Sequence, residues 1–248
     1  MKLQEFFNQN NKFAVAFSGG VDSSYLLYAA KKHGCDVRAY FIKSPFQPEF
    51  ELEDAKKVAA LAVAPLTVCE LDVLSIPEIK QNPTDRCYIC KRAIMSKILA
   101  LAEVDGYKTL CDGAIADDAA DDRPGMRAVH ELGVLSPLRD CGLTKAEIRR
   151  LSKEAGLFTH EKPSYACLAT RIPTGREITA ELLTKTERAE QKLFDMGFSD
   201  FRVRVLGEGA NLELPTSLFP TAVSKREEIL NALSPDYDFV YLNLKNRG

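Results

Sequence analysis

No apolar run in the 248 residues approaches the roughly 18 that a membrane-spanning helix needs, so a membrane enzyme is not expected. The opening MKLQEFFNQNNKF lacks the apolar core and small-residue cleavage site of a secretory leader, and the expected compartment is cytoplasmic. Positive charge is not in surplus. The 33 Lys+Arg stand against 35 Asp+Glu, giving a net charge of -2 and a pI near 6.0. That balance argues against a broadly basic nucleic-acid surface, though it leaves room for a local patch. Repeats and low-complexity segments are absent as well. The cysteine count is odd, at seven, so the thiols cannot all pair within the chain. In a reducing compartment they read as packing residues, metal ligands or catalytic groups. Cys35, Cys69, Cys111 and Cys141 stand singly among apolar or turn residues and are expected to pack as small hydrophobes.

The first half alternates strand-like and helix-like segments. Strands are predicted at 12–17, 36–42, 64–70 and 109–113, and helices at 22–33, 51–62 and 90–102. This β-α-β-α rhythm predicts an α/β fold with a doubly wound parallel sheet, in which ligands sit at the carboxyl ends of the strands. A further helix is predicted at 143–156, with Thr144 as its N-cap and Gly156 as its stop. The stretch 161–175 holds two prolines, a cysteine and a glycine and reads as a loop between two parts. Beyond it, helices at 179–196 and 225–233 and strands at 201–206, 211–215 and 239–244 predict a smaller α+β domain. The expected division is 1–160 and 161–248.

Ser18-Gly19-Gly20-Val21-Asp22-Ser23 follows a strand and opens a helix. Glycines let the backbone approach a ligand closely, and N–H groups at a helix N-terminus face an anion. Ser18 and Ser23 add hydroxyl donors, while Asp22 sits comfortably beside phosphates only when Mg²⁺ joins them. The common G-x-x-x-x-G-K-S/T signature is absent, so this is a phosphate loop of another kind.

Cys87 and Cys90 form a C-x-x-C just before a predicted helix, with Arg86, Lys91 and Arg92 alongside to favour thiolate. Cys167 lies in the 161–175 loop between Lys162 and Arg171, where it reads either as a buried anchor or as a nucleophile. Three cysteines suit a 4Fe–4S cluster with one iron left open, or Zn²⁺ lacking a fourth ligand. His160 is the one histidine near enough in sequence to complete a zinc set, and it reads as a surface residue.

The SGGVDS loop resembles that of the PP-loop ATP pyrophosphatases, which implies an adenine nucleotide alpha hydrolase-like fold and cleavage of ATP to AMP and pyrophosphate. Further segments resemble one branch, the LarE sulfur transferases of nickel-pincer nucleotide biosynthesis. They are 17–23, 82–92, 112–125, 136–138, 163–179 and 201–205, with Asp112 to Asp118, Asp121, Arg123 and Ser136-Pro137-Leu138 the most specific. Asp117 and Asp122 depart from the branch, which often has Asn and Tyr there.

The resemblance implies that ATP binds at Ser18, Gly19, Gly20, Asp22 and Ser23, with Asp22 near Mg²⁺. It implies adenylylation of the carboxylates of a pyridinium-3,5-dicarboxylate mononucleotide, followed by displacement of AMP by sulfur. Cys167 matches the cysteine that single-cysteine members sacrifice, and Cys87 and Cys90 match the extra pair of cluster-binding members, so the cluster route is expected, fed by sulfide or another sulfur donor. Arg171, Arg202 and Arg204 match substrate-binding positions, and Glu190 and Glu213 match acidic metal ligands whose third companion is here Thr221. The family also implies a homo-oligomer, a hexamer being one arrangement. The competing expectations are a sacrificial Cys167, a PP-loop tRNA thiolase, and a binding protein that kept the loop without catalysis.

Overall fold

The computed structural model describes residues 2–118, 124–245 and 247; Asp121, Asp122 and Arg123 lie outside the described residues. The chain forms two compact units, Met1–Val73 with Asp85–Lys162, and Leu74–Thr84 with Pro163–Gly248.

The first unit is built on four parallel strands, β1 (Lys12–Ala16), β2 (Asp36–Lys43), β3 (Leu66–Glu70) and β4 (Leu110–Cys111), in the order β3-β2-β1-β4. Alternate residues of each strand point to opposite faces, and the two faces have separate cores. Phe13, Val15, Val37, Ala39 and Phe41 join one cluster with Leu26 and Leu27 of α2 (Val21–Lys32), Val58 of α3 (Glu49–Leu61) and Ile148. Ala14, Tyr40 and Ile42 join the other, with Met95 and Ile98 from the long helix at Arg86–Val104 and Val129 from the helix at Pro124–Glu131. Each fully buried Phe or Leu contributes about 1.5–3 kcal/mol, so both faces are strongly held. The doubly wound parallel sheet expected from the sequence is therefore present.

The amino-terminal α1 (Leu3–Gln9) packs Phe6 and Phe7 beside Phe13. The short α4 (Pro77–Lys80) belongs to the second unit. Arg86–Val104 is α5, Pro124–Glu131 α6 and Pro137–Asp140 α7. The capped α8 (Lys145–Glu154) begins where expected: the Thr144 hydroxyl accepts from the Glu147 amide, and Glu147 Oε2 accepts from the Thr144 amide at 2.9 Å. Cys35 and Cys111 are buried in the first core and Cys69 and Cys141 pack against the cores, as lone cysteines in apolar surroundings should.

The second unit has a three-stranded sheet, β5 (Arg202–Leu206), β6 (Gly209–Glu213) and β7 (Val240–Asn243). β5 and β6 pair antiparallel and β7 lies parallel to β6. Val203, Ala210 and Leu212 face a core made with Ala189 and Leu193 of α9 (Ala180–Asp195), Ala222 of α10 (Phe219–Ser224) and Ile229 and Leu233 of α11 (Arg226–Leu233). Arg202, Arg204 and Glu213 alternate with these core positions and occupy the other face.

Candidate active site

In the first unit, the chain leaves β1 at Ala16 and enters α2 at Val21, so 18–20 lie at the carboxyl end of a central strand. Gly19 has φ +70°, where a side chain is strained, and a Cβ there would sit a tight 3.1 Å from the Ala55 backbone nitrogen. Gly113, just past β4, lies closer still: its Cβ would come within 2.7 Å of the Ser23 nitrogen. The turn is knitted by hydroxyls, with Ser18 Oγ and Ser23 Oγ 3.1 Å apart and the Gly20 amide donating to Ser18 Oγ at 3.3 Å.

Asp22 stands in the first turn of α2. Burial lifts its carboxyl above the ordinary aspartate range, and Lys145, whose Nζ is 2.5 Å from Oδ2, offsets that only in part. Its Oδ1 is buried with no hydrogen-bond partner. A buried anionic oxygen left open beside the glycine turn fits a Mg²⁺ ligand, since oxygen donors of this kind are what the ion requires. Lys145 was not anticipated from the sequence. The cap at Thr144 placed the start of α8, but nothing local indicates that the next side chain crosses to Asp22. The lysine amide also donates to Asp117 Oδ2 at 2.5 Å. The 112–118 motif is tied down from within: Asp112 Oδ1 accepts from the Ser136 hydroxyl at 2.8 Å and the Ala114 amide at 3.1 Å.

Cys87 and Cys90 occupy the first turns of α5, three residues apart and hence on one helix face. Cys87 is exposed and Cys90 half-buried. Arg86 is buried and its guanidinium donates to Cys87 Sγ at 3.6 Å. This pair has the spacing and the cationic neighbour that two thiolate ligands of one metal or cluster need. Cys167 belongs to the second unit, and among the described residues no group of three or more His, Cys, Asp or Glu side chains is gathered into a metal set. His160 hydrogen-bonds to Leu157 O of its own turn.

In the second unit Cys167 opens a short 3₁₀ turn, Leu168–Arg171. Arg171 is 1% exposed and faces Glu190, also 1% exposed, through two bonds: Nε to Oε1 at 2.8 Å and NH2 to Oε2 at 2.9 Å. Burial alone would depress the guanidinium, but the Glu190 partner raises it instead. Both Glu190 oxygens are further occupied, Oε2 by the Tyr165 hydroxyl at 2.6 Å and Oε1 by the Val203 amide at 2.9 Å. The two side chains expected to take a metal and the substrate thus bond to each other in the second unit. Four donors take up the acceptor sites of Glu190, and all three nitrogens of Arg171 are engaged by Glu190 and the 166–170 loop. Glu213 pairs through Oε1 with Arg204 Nε at 2.8 Å, and Arg204 NH1 donates to Thr170 O at 2.5 Å.

Arg202 is different. Its Nε is buried without a partner, and no carboxylate pairs with it among the described residues. Burial lowers its pKa, and the nearby Arg247, Arg171 and Arg204 lower it further. Such a cation is poised for an incoming anion.

The chain is similar to several known proteins. The family described as thiamine biosynthesis protein (ThiI) matches residues 8–193. An uncharacterized protein of Synechocystis sp. is 36% identical over 99% of this chain and 92% of its own. Another from Methanocaldococcus jannaschii is 33% identical over 98% of this chain and 93% of its own. The pyridinium-3,5-bisthiocarboxylic acid mononucleotide synthase of Lactiplantibacillus plantarum is 33% identical over 82% of this chain and 75% of its own.

Proposed function

Because this chain belongs to the LarE family of PP-loop sulfurtransferases, we propose that it uses ATP to convert the carboxylates of a pyridinium-3,5-dicarboxylate mononucleotide to thiocarboxylates. The observation that carries this reading is the open, buried Asp22 Oδ1 beside the Ser18–Ser23 turn. A phosphate loop that also offers a metal ligand suits a nucleoside triphosphate with its Mg²⁺.

In the first step a substrate carboxylate oxygen attacks the α-phosphorus of ATP, and the bond to the β-phosphate breaks, releasing pyrophosphate. The amides of Ser18, Gly19, Gly20 and Ser23 and the serine hydroxyls take up the pyrophosphate charge, Asp22 would hold Mg²⁺, and Lys145 adds positive charge beside the turn. In the second step sulfur bonds to the acyl carbon, and the carbon–oxygen bond to AMP breaks, so AMP leaves with one carboxylate oxygen. Arg202 and Arg204 hold the phosphate and carboxylates of the mononucleotide. By the resemblance, Cys87, Cys90 and Cys167 would be the thiolates that hold a 4Fe–4S cluster, which would supply sulfide-level sulfur for the transfer. Each carboxylate requires one such cycle. The balanced surface charge favours this small substrate over tRNA.

The experiment compares wild type with Cys167→Ser and Cys87→Ala under anaerobic conditions. Cys167→Ser is expected to release pyrophosphate at near wild-type rate while losing sulfur transfer by more than about 100-fold. Cys87→Ala is expected to lose bound iron and sulfide. Wild type that holds no iron yet converts Cys167 to dehydroalanine on turnover would replace the cluster by the sacrificial route. Pyrophosphate release that requires tRNA and not the mononucleotide would overturn the substrate.

A further inference from the structure

The segment carrying Cys167 is held by side chains of its own unit. Arg171 NH1 donates to Ala166 O at 2.7 Å and to Thr170 Oγ1 at 2.9 Å, and Thr170 Oγ1 in turn donates to Cys167 O at 2.9 Å. Its other two nitrogens are locked onto Glu190 of α9. Glu190 also takes the hydroxyl of Tyr165, two residues before the cysteine, and the amide of Val203 on the edge strand β5. The Arg171 guanidinium lies over the Tyr165 ring at 4.5 Å. One buried ion pair therefore bonds directly to residues 165, 166 and 170, and through Thr170 to 167, and fixes them all to a helix and a strand.

We infer that Arg171 and Glu190 are positioning residues for Cys167, a clamp that sets where its sulfur stands, and that Glu190 is not a metal ligand. A buried ion pair is a poor stabiliser next to apolar packing of the same volume, so its use here is better explained by geometry than by stability. A bidentate guanidinium–carboxylate pair defines direction as well as distance. The planar fork lets one side chain bond to the loop on one edge and to α9 on the other. The inference rests on the reading of Cys167 as the sulfur site, and it deepens that reading by naming what holds the thiol in register.

The test uses the full chain treated with an iron chelator for thiol chemistry, and the untreated protein for turnover. Variants are Glu190→Gln, Arg171→Lys and Thr170→Val, the last leaving the buried pair intact in case the others fold poorly. Alkylation of Cys167 by iodoacetamide, read by peptide mapping, is expected to rise about five-fold or more as the loop gains freedom. Sulfur-transfer kcat is expected to fall about 100-fold in Glu190→Gln and Arg171→Lys. In Thr170→Val the expected fall is about ten-fold. The KM for ATP and the rate of pyrophosphate release should hold in all three. Wild-type alkylation rates in the variants would overturn the clamp. So would loss of Mn²⁺ binding, followed by titration calorimetry, in Glu190→Gln but not in Arg171→Lys. A Cys167→Ser protein that still transfers sulfur would instead sink the reading of Cys167, while the alkylation rates still decide the clamp.

Discussion

For Asp22, burial outweighs the ion pair in setting where the carboxyl titrates. An exposed aspartate titrates near about 3.9, and burial raises Asp22 above that despite the Lys145 partner. A raised pKa in the native state means that the folded protein binds the proton more tightly than the unfolded chain does. Stability from this group is therefore full at pH below the unfolded value and is lost as pH rises through the folded value. At neutral pH the ionised side chain is a net cost. Asp22→Asn should accordingly raise the melting temperature of the ligand-free protein at pH 7, by about 2 °C, with the gap closing as pH falls below about 4. The same variant should lose the extra stabilisation that Mg·ATP gives to wild type. Thermal melts across pH, with and without Mg·ATP, check both, and a destabilised ligand-free variant would contradict the assignment of burial as the dominant effect.

Two elements define the nucleotide turn, and each depends on a neighbour far along the chain. The first turn of α2 is pressed by the 113 loop, where a Cβ would stand 2.7 Å from Ser23 N and 2.9 Å from Ser23 Cα. These are backbone atoms and cannot swing away. Gly113→Ala should shift the start of α2, destabilise the fold by about 1–3 kcal/mol and raise the KM for ATP about ten-fold. Urea unfolding and steady-state kinetics check it, and unchanged KM would mean that the 113 loop yields instead of the helix. α8 contributes Lys145 from its first position, and its capping box holds that position in place. The long helices α2, α3, α5, α8 and α9 were legible from periodicity and caps. The short α1, α4, α7 and α10 were not, because helices of four to seven residues complete too little of an amphipathic period to stand out.

Each compact unit has a core of its own, on both faces of the sheet in the first and on one face in the second. Unfolding should accordingly follow two calorimetric transitions. Mg·ATP at about 100 times its Kd should stabilise the transition of the unit carrying Ser18–Ser23 by about 2.7 kcal/mol and leave the other in place. A single transition that shifts as one would refute this. Local pattern alone carried the parallel sheet, the glycine turn, the paired thiols at Cys87 and Cys90, and the shared face of Arg202 and Arg204, because all of these depend on spacings within a few residues. Partnerships across the chain were beyond it. Arg171 and Glu190 lie 19 residues apart, and Lys145 and Asp22 123 apart, and in each pair a charged side chain reads on paper as solvated or ligand-seeking. Folding brings each pair into low-dielectric surroundings, where a charge must find its counter-charge. That requirement, met only in three dimensions, made a clamp of one pair and left Asp22 Oδ1 and Arg202 Nε buried without a hydrogen-bond partner.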